Sequence, residues 1–182
     1  MRKLLCLSLI ICMFMACDKD LSTTYSTKYP VRFYFDVINS TELYNAMGNP
    51  GQFVSIRSLG NKVRIENVLG GHDYSLSQIG SSEFEYGLGG LIVGISSTPS
   101  MNNTFDPVAY DLACPNCSSA SPKRLTVMDN GTAKCKNCGI VYDLNNWGWI
   151  VETPSDLGDK ELHGLYRYRI LFNGTSINVN NR

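Results

Sequence analysis

The stretch CPNCSSASPKRLTVMDNGTAKCKNC, residues 114–138, contains two C-x2-C cysteine pairs separated by seventeen residues. Two cysteines at this spacing can place both sulfurs on one side of a tight turn. Two such turns that face each other bring four thiolates together, as Zn²⁺ and tetrahedral iron sites require. The spacing lies within the range that indicates a zinc site. The sequence therefore predicts a metal site formed by Cys114, Cys117, Cys135 and Cys138.

The cysteine count agrees with this interpretation. The chain has seven cysteines, and the three outside the two pairs, Cys6, Cys12 and Cys17, all lie within the first seventeen residues. The rest of the chain therefore has no thiol beyond the four candidate ligands.

The amino terminus has the pattern of an export signal. A short basic region, 1–3, precedes an uncharged apolar run, 4–16, that is thirteen residues long. A membrane-spanning helix needs about 20 residues, so this run is too short to cross a bilayer but suits the core of a signal peptide. We therefore expect a signal peptide over residues 1–16.

The signal ends in Phe14-Met15-Ala16-Cys17. A small residue directly before a cysteine resembles the lipobox of bacterial lipoproteins, although Phe14 replaces the usual leucine. The resemblance implies that Cys17 is lipidated and becomes the first residue of the mature chain. An ordinary cleaved signal or an uncleaved anchor is the alternative. Several acyl chains anchor a protein stably, whereas one chain binds a membrane only marginally.

The expected location is the cell envelope, with the outer membrane or cell surface favoured over the inner membrane. Residues 17–29, rich in Ser, Thr and Tyr, indicate a flexible tether between the lipid and a folded domain over 30–182. The chain has 16 basic and 16 acidic residues, so its charge does not favour nucleic acid as a partner. The expected partner is a membrane, through the lipid anchor, and no protein or small-molecule partner is indicated.

The body of the chain has the pattern of an all-β protein. Several short segments alternate apolar and polar residues with the period of two that is typical of half-buried strands. Asn173-Gly174 is a strong hairpin signal. Only residues 41–47 suggest a helix, with Ser40 as its cap and Gly48 as its end. The candidate strands lie at 31–37, 54–56, 63–65, 84–86, 91–95, 166–172 and 177–179.

The order of segments around the cysteines resembles the Rieske iron–sulfur domain. GLIVG (90–94) is followed by VAYDLACP (108–115), CKNCGIVYDL (135–144), Pro154 and LYRYRI (165–170). The resemblance covers about residues 88–182, and 30–87 more loosely. It implies a β sandwich or barrel with a small metal-binding subdomain inserted at about 108–150.

The ligand set departs from that family. A Rieske centre uses two cysteines and two histidines, whereas Cys117 and Cys138 occupy both histidine positions here. His72 and His163, the only histidines, lie outside both loops. The Rieske cluster therefore does not carry over. The segment after Cys138 is also similar to the knuckle of rubredoxins and zinc ribbons, where Gly139 allows a left-handed backbone that points amide N–H groups at sulfur.

Three occupants of the site remain open. Structural Zn²⁺ is favoured, because it can bind after an unfolded chain has been exported and then adds its binding energy to folding. An all-cysteine iron site, either mononuclear or [2Fe–2S], is the second. Two disulfides are the third, since an exported protein meets an oxidising compartment.

The sequence favours a structural or binding module, with an iron electron carrier as the alternative. It leaves open whether the protein is an enzyme, and four protein ligands leave no coordination position for a catalytic water. Two further expectations concern the surroundings of the site. The metal should fix loops with few apolar residues, mainly Leu125 and Val127. Trp147 and Trp149 should pack against the domain, and the alternative is that they shield the site or form a binding face.

Overall fold

The computed structural model describes residues 25–77, 84–158 and 160–181. The predicted signal peptide, the lipidation site Cys17 and tether residues 17–24 lie outside this part of the chain. The structure is mostly β-strand, arranged in two antiparallel sheets, so the all-β prediction is confirmed.

The strands are numbered here along the chain. Some of them alternate buried and exposed side chains, as the sequence pattern predicts, whereas others are buried over four successive residues. They are β1 (Val31–Asp36), β2 (Phe53–Leu59), β3 (Lys62–Asn67), β4 (Gly70–Ser75), β5 (Glu85–Tyr86), β6 (Leu91–Ile95), β7 (Pro107–Asp111), β8 (Leu125–Val127), β9 (Thr132–Cys135), β10 (Val141–Asp143), β11 (Trp149–Glu152), β12 (Arg167–Phe172) and β13 (Ser176–Asn180).

Within the described residues, the larger sheet contains nine strands in the order β4-β3-β2-β6-β7-β12-β13-β1-β5. Its two ends lie close together: the ring centroids of Phe35 on β1 and Tyr74 on β4 are 5.5 Å apart. The sheet therefore curls around a core, as a partly closed barrel does. This core collects inward-facing side chains from both ends of the sheet, among them Phe33, Ile56 and Val179.

The smaller sheet is an insertion into the larger one. Strands β7 and β12 are neighbours, with Tyr110 opposite Arg167, although more than fifty residues separate them in the sequence. The intervening chain forms a four-stranded sheet in the order β11-β10-β9-β8. Both cysteine pairs lie in this insertion between β7 and β12.

A second apolar core joins the two sheets. Ile92 of β6 and Tyr110 of β7 point away from the barrel core and pack with Ile140, Tyr142 and Leu144 beside the smaller sheet. Strands β6 and β7 are therefore covered on both faces. The expectation that Leu125 and Val127 are the main apolar residues of this region is wrong. It overlooked residues 140–144, which become core residues only when the insertion folds back onto β6 and β7.

The helix, α1 (Thr41–Gly48), begins where the sequence predicted. The Ser40 side chain accepts a hydrogen bond from the Leu43 amide, which is an N-cap contact. The predicted end is wrong by one residue, because Gly48 lies within the helix and Asn49 caps it. In the described part of the chain, no helix has the length and apolar character needed to cross a membrane.

The end of the predicted tether that the structure describes, 25–29, contacts the larger sheet. The Ser26 amide donates to the Arg167 carbonyl over 2.7 Å, and the rings of Tyr29 and Tyr166 lie 5.4 Å apart. The Asn181 side-chain amide donates to the Ser26 carbonyl over 3.0 Å. The chain therefore enters the domain beside the start of β12.

Candidate metal centre

The first cysteine pair directly follows β7. Cys114 is 1 % exposed, and its amide donates to the Lys123 carbonyl over 2.8 Å. The Cys117 amide donates to the Cys114 carbonyl over 3.3 Å, which closes the turn. Cys117 is partly exposed at the end of this turn.

The second cysteine pair forms the turn between β9 and β10. Cys135 is fully buried at the end of β9, and Cys138 is partly exposed. Gly139 has a φ of +75°, as the predicted left-handed backbone requires. Its amide donates to the Cys135 carbonyl over 2.9 Å, and the Cys135 amide donates to the Ile140 carbonyl over 2.9 Å. These bonds make the turn a tight knuckle.

The two knuckles face each other and bring all four sulfurs together. The four Sγ atoms lie within 4.8 Å of one another. Two of the distances are 3.6 Å, between Cys114 and Cys138, and 3.7 Å, between Cys117 and Cys135. All four cysteines are free, and these distances far exceed a disulfide bond of about 2.05 Å. The arrangement is compatible with a metal site.

Backbone amides of the knuckles point toward the sulfurs. Burial alone would raise the pKa of Cys135, but hydrogen bonds from the amides of Cys138 and Asn137 lower it below the ordinary value. Burial raises the pKa of Cys114, and bonds from Tyr142 and the Asn116 amide oppose this only in part. The amides that stabilise a thiolate are thus present on both knuckles.

A polar network that the sequence did not reveal surrounds Cys114. The Tyr142 hydroxyl lies 3.2 Å from Cys114 Sγ, and the Asn116 side-chain amide donates to that hydroxyl over 2.9 Å. Asn116 also donates to the His163 carbonyl over 2.8 Å and accepts from the His163 amide over 2.9 Å. The first knuckle is therefore fixed both to β10 and to the segment before β12.

The second knuckle has its own outer contacts. The Asn137 side-chain amide lies 3.5 Å from Cys117 Sγ and connects the two knuckles across the site. Pro154 covers Gly139 so closely that an added Cβ would lie 2.5 Å from Pro154 Cγ. The repeated Asn before the second cysteine of each pair was the available sequence signal for these contacts.

Both tryptophans differ from the prediction that they pack against the domain. Trp147 is 48 % exposed and Trp149 is 61 % exposed. The two histidines stay outside the sulfur cluster, as expected. His72 lies on β4 with its side chain mostly exposed, and His163 contributes only backbone groups to the network around Cys114.

Comparison with known proteins does not identify a family for this chain. No protein family matches the sequence, and neither curated proteins nor solved structures give a match. A function for this chain is therefore inferred from the four sulfurs and their surroundings.

Proposed function

We propose that this chain is an exported, lipid-anchored module in which Cys114, Cys117, Cys135 and Cys138 bind one structural Zn²⁺ ion. The observation that carries the proposal is the approach of four free sulfurs to within 4.8 Å of one another. A tetrahedron with Zn–S bonds of about 2.3 Å has S–S edges of about 3.8 Å. The distances of 3.6 and 3.7 Å between two pairs of sulfurs fit those edges.

The compactness of the sulfur cluster favours one ion over a cluster with two metals. A [2Fe–2S] cluster divides four thiolates between two iron atoms, so the two pairs of sulfurs would move apart. One iron ion, in contrast, could use the same tetrahedron of sulfurs as zinc. A rubredoxin-type electron carrier is therefore the second candidate.

The surroundings suit a structural ion. Four protein ligands complete the tetrahedron and leave no position for a water molecule. Two of the ligands, Cys114 and Cys135, belong to the apolar core beneath the smaller sheet. The bound ion would join the end of β7 to the β9–β10 turn, and its binding free energy would add to the stability of the fold.

The scaffold proposed for this site is Rieske-like. A small sheet inserted between neighbouring strands of a larger β domain, with one ligand loop after β7 and the other between β9 and β10, supports this relationship. In this chain four cysteines would replace the mixed cysteine and histidine ligands of that family, which explains why we assign no Rieske cluster to it.

Elemental analysis combined with a visible spectrum of the purified full-length chain tests the metal. We expect about one zinc per chain, no visible absorption, and loss of the zinc in Cys117→Ser and Cys138→Ser. Ser118→Ala changes an exposed neighbour of Cys117 and should retain the metal. Visible bands that bleach on reduction would establish iron instead. Absence of any metal, together with absence of free thiols, would establish disulfides.

The lipid anchor is tested separately. The proposal rests on Ala16-Cys17 at the end of the apolar run. Cys17 is eight residues before Tyr25, so an extended connection would reach at most about 28 Å. We expect Cys17→Ala to release the protein from the membrane fraction, while Cys12→Ser, within the apolar run, leaves it there. An unchanged membrane fraction for Cys17→Ala would contradict lipidation.

A further inference from the structure

Trp147 has a backbone conformation that large side chains rarely adopt. Its φ is +59°, and its side chain is 48 % exposed. A left-handed conformation costs a residue with a Cβ about 1–2 kcal/mol, so glycine or asparagine is usual there. Such strain persists where neighbouring structure imposes it, and it is concentrated at binding and active sites. An exposed tryptophan held in this way calls for a functional explanation.

The turn that carries Trp147 is fixed by its neighbour. Gly148 has a φ of +73°, and its amide donates to the Asp143 carbonyl over 2.9 Å. A Cβ on Gly148 would lie 2.7 Å from Leu165 Cβ and 3.1 Å from Tyr110 Cε1. Because the backbone approaches these buried side chains so closely, Trp147 is presented on a rigid support.

Arg167 stacks on this tryptophan. Its guanidinium carbon lies 3.8 Å from the centroid of the Trp147 ring, and the Tyr25 ring centroid lies 5.1 Å away. Its Nε is buried and has no hydrogen-bond partner. No carboxylate of the described residues forms an ion pair with Arg167. The two aromatic rings therefore hold the Arg167 side chain in place, and its guanidinium can still pair with an anion.

Trp147 and Arg167 line a cavity of about 220 Å³ between the β6–β7 hairpin and the β10–β11 turn. Asp106 also lines the cavity, and its carboxylate accepts a hydrogen bond from the Thr104 hydroxyl over 3.0 Å. Met101, another lining residue, is fully exposed. The cavity therefore combines one cation, one anion and two exposed apolar side chains.

We propose that this cavity binds a small zwitterionic amino acid with an apolar side chain. The planar carboxylate of the ligand pairs with the Arg167 guanidinium, which suits it in shape and charge. Its ammonium group is attracted to Asp106. Its side chain contacts Trp147 and Met101 and covers apolar surface that these two side chains leave exposed. The site is separate from the four cysteines and does not depend on the proposed metal or anchor.

The charges of the ligand are tested with matched probes. Isothermal titration of the purified full-length chain with phenylalanine and with leucine should show binding at millimolar concentration or below. Phenethylamine, which lacks the carboxylate, and phenylpropionate, which lacks the ammonium group, should each bind at least tenfold more weakly than phenylalanine, since a charged hydrogen bond contributes roughly 1.5–3 kcal/mol.

Variants test the residues. Arg167→Met keeps an apolar stem over Trp147 but removes the charge, and we expect at least tenfold weaker binding. Arg169→Met is the matched control, because Arg169 also lies near Tyr25 but does not line the cavity. Trp147→Asn suits the left-handed backbone and should fold normally while it loses affinity. No binding of either amino acid, or unchanged affinity in both Arg167→Met and Trp147→Asn, would overturn the proposal.

Discussion

Asp111 is a fully buried carboxylate that joins the strand before the first cysteine pair to a glycine-rich loop. Its Oδ1 accepts hydrogen bonds from the amides of Gly89 and Ala113 over 3.0 and 2.7 Å. Its Oδ2 accepts from the Leu88 amide and the Tyr168 hydroxyl, both over 2.6 Å. Both oxygens are therefore used twice as acceptors, which offsets part of the cost of burying the carboxylate, although burial still raises the pKa of Asp111.

Asp111→Asn should strongly destabilise the protein, because an amide group replaces one acceptor oxygen and places N–H groups against other donors. We expect the free energy of unfolding to fall by roughly 3 kcal/mol, given that each charged hydrogen bond contributes about 1.5–3 kcal/mol. Denaturant unfolding measures this. Asp129→Asn changes an exposed aspartate and should have little effect. Equal stability of the two variants would show that the buried carboxylate is dispensable.

The four cysteines could be predicted from sequence because their spacing alone constrains where the sulfurs can lie. Asp111 could not, because nothing in its sequence neighbourhood shows that this aspartate is the buried one. The one related feature of the sequence is Gly87, because a Cβ at this position would lie 2.4 Å from Asp111 Oδ2. Gly87 is thus explained by a carboxylate more than twenty residues later. Such a pairing becomes visible only when β6 and β7 are placed side by side.

At the scale of the element, the β9–β10 knuckle depends on one glycine. Gly139→Ala would combine a strained φ of +75° with a Cβ 2.5 Å from Pro154. We expect a loss of about 2 kcal/mol or more in unfolding free energy, since the left-handed backbone alone costs about 1–2 kcal/mol. Thermal unfolding measures the stability, and a competing chelator measures the weaker hold on the proposed zinc.

Gly174→Ala is the control for this prediction. Gly174 also has a positive φ, of +92°, but among the described residues no heavy atom lies within 4 Å of an added Cβ. It therefore carries the backbone strain without the steric contact. Gly139→Ala should be clearly the more destabilising of the two, and equal losses would mean that the contact with Pro154 has no energetic weight.

Helix α1 is attached to β4 through Glu42, whose side chain is 8 % exposed. Its carboxylate contacts His72 Nδ1 and accepts hydrogen bonds from the Tyr74 and Ser40 hydroxyls over 3.1 and 2.9 Å. Burial alone would raise the pKa of Glu42, but its own backbone amide and these three side chains lower it below the ordinary value of 4.5.

Because the folded pKa of Glu42 is the lower one, its ionised form stabilises the protein above the unfolded pKa. This contribution is lost as the pH falls below about 4.5 and through the folded pKa. We expect Glu42→Gln to lower the unfolding free energy at pH 6 by about 1–3 kcal/mol and to reduce its acid dependence. Glu161→Gln, at an exposed position, should leave both unchanged. A parallel pH profile for Glu42→Gln would contradict this assignment.

The elements themselves were predictable to different degrees. Strand β1 could be recognised because its alternation of buried and exposed residues repeats over six positions. The core of the smaller sheet could not, since β8 and β10 have only three residues each and show no clear period. Trp147 was wrongly expected to pack, because a preference for burial cannot reveal a left-handed turn that directs the ring outward.

At the scale of the whole molecule, stability is divided between two apolar cores. The first, inside the curled sheet and beneath α1, includes none of the four cysteines. The second, between β6, β7 and the smaller sheet, includes Cys114 and Cys135 and is flanked by Cys117 and Cys138. Loss of a metal from the cysteines should therefore affect the two cores unequally.

We expect chelation of the proposed zinc to loosen the second core while the first stays folded. Thiolates left without the ion would repel one another and separate the knuckles. Amides of β8 to β10 would then exchange faster, whereas those of β1 to β3 belong to a core without cysteine. Hydrogen exchange of the full-length chain, with and without chelator, measures this difference. Re-addition of zinc should restore protection, which controls for irreversible damage. Equal loss of protection in both sheets would instead mean that the molecule opens as one cooperative unit, and unchanged exchange throughout would show that a metal at the four sulfurs contributes nothing to its stability.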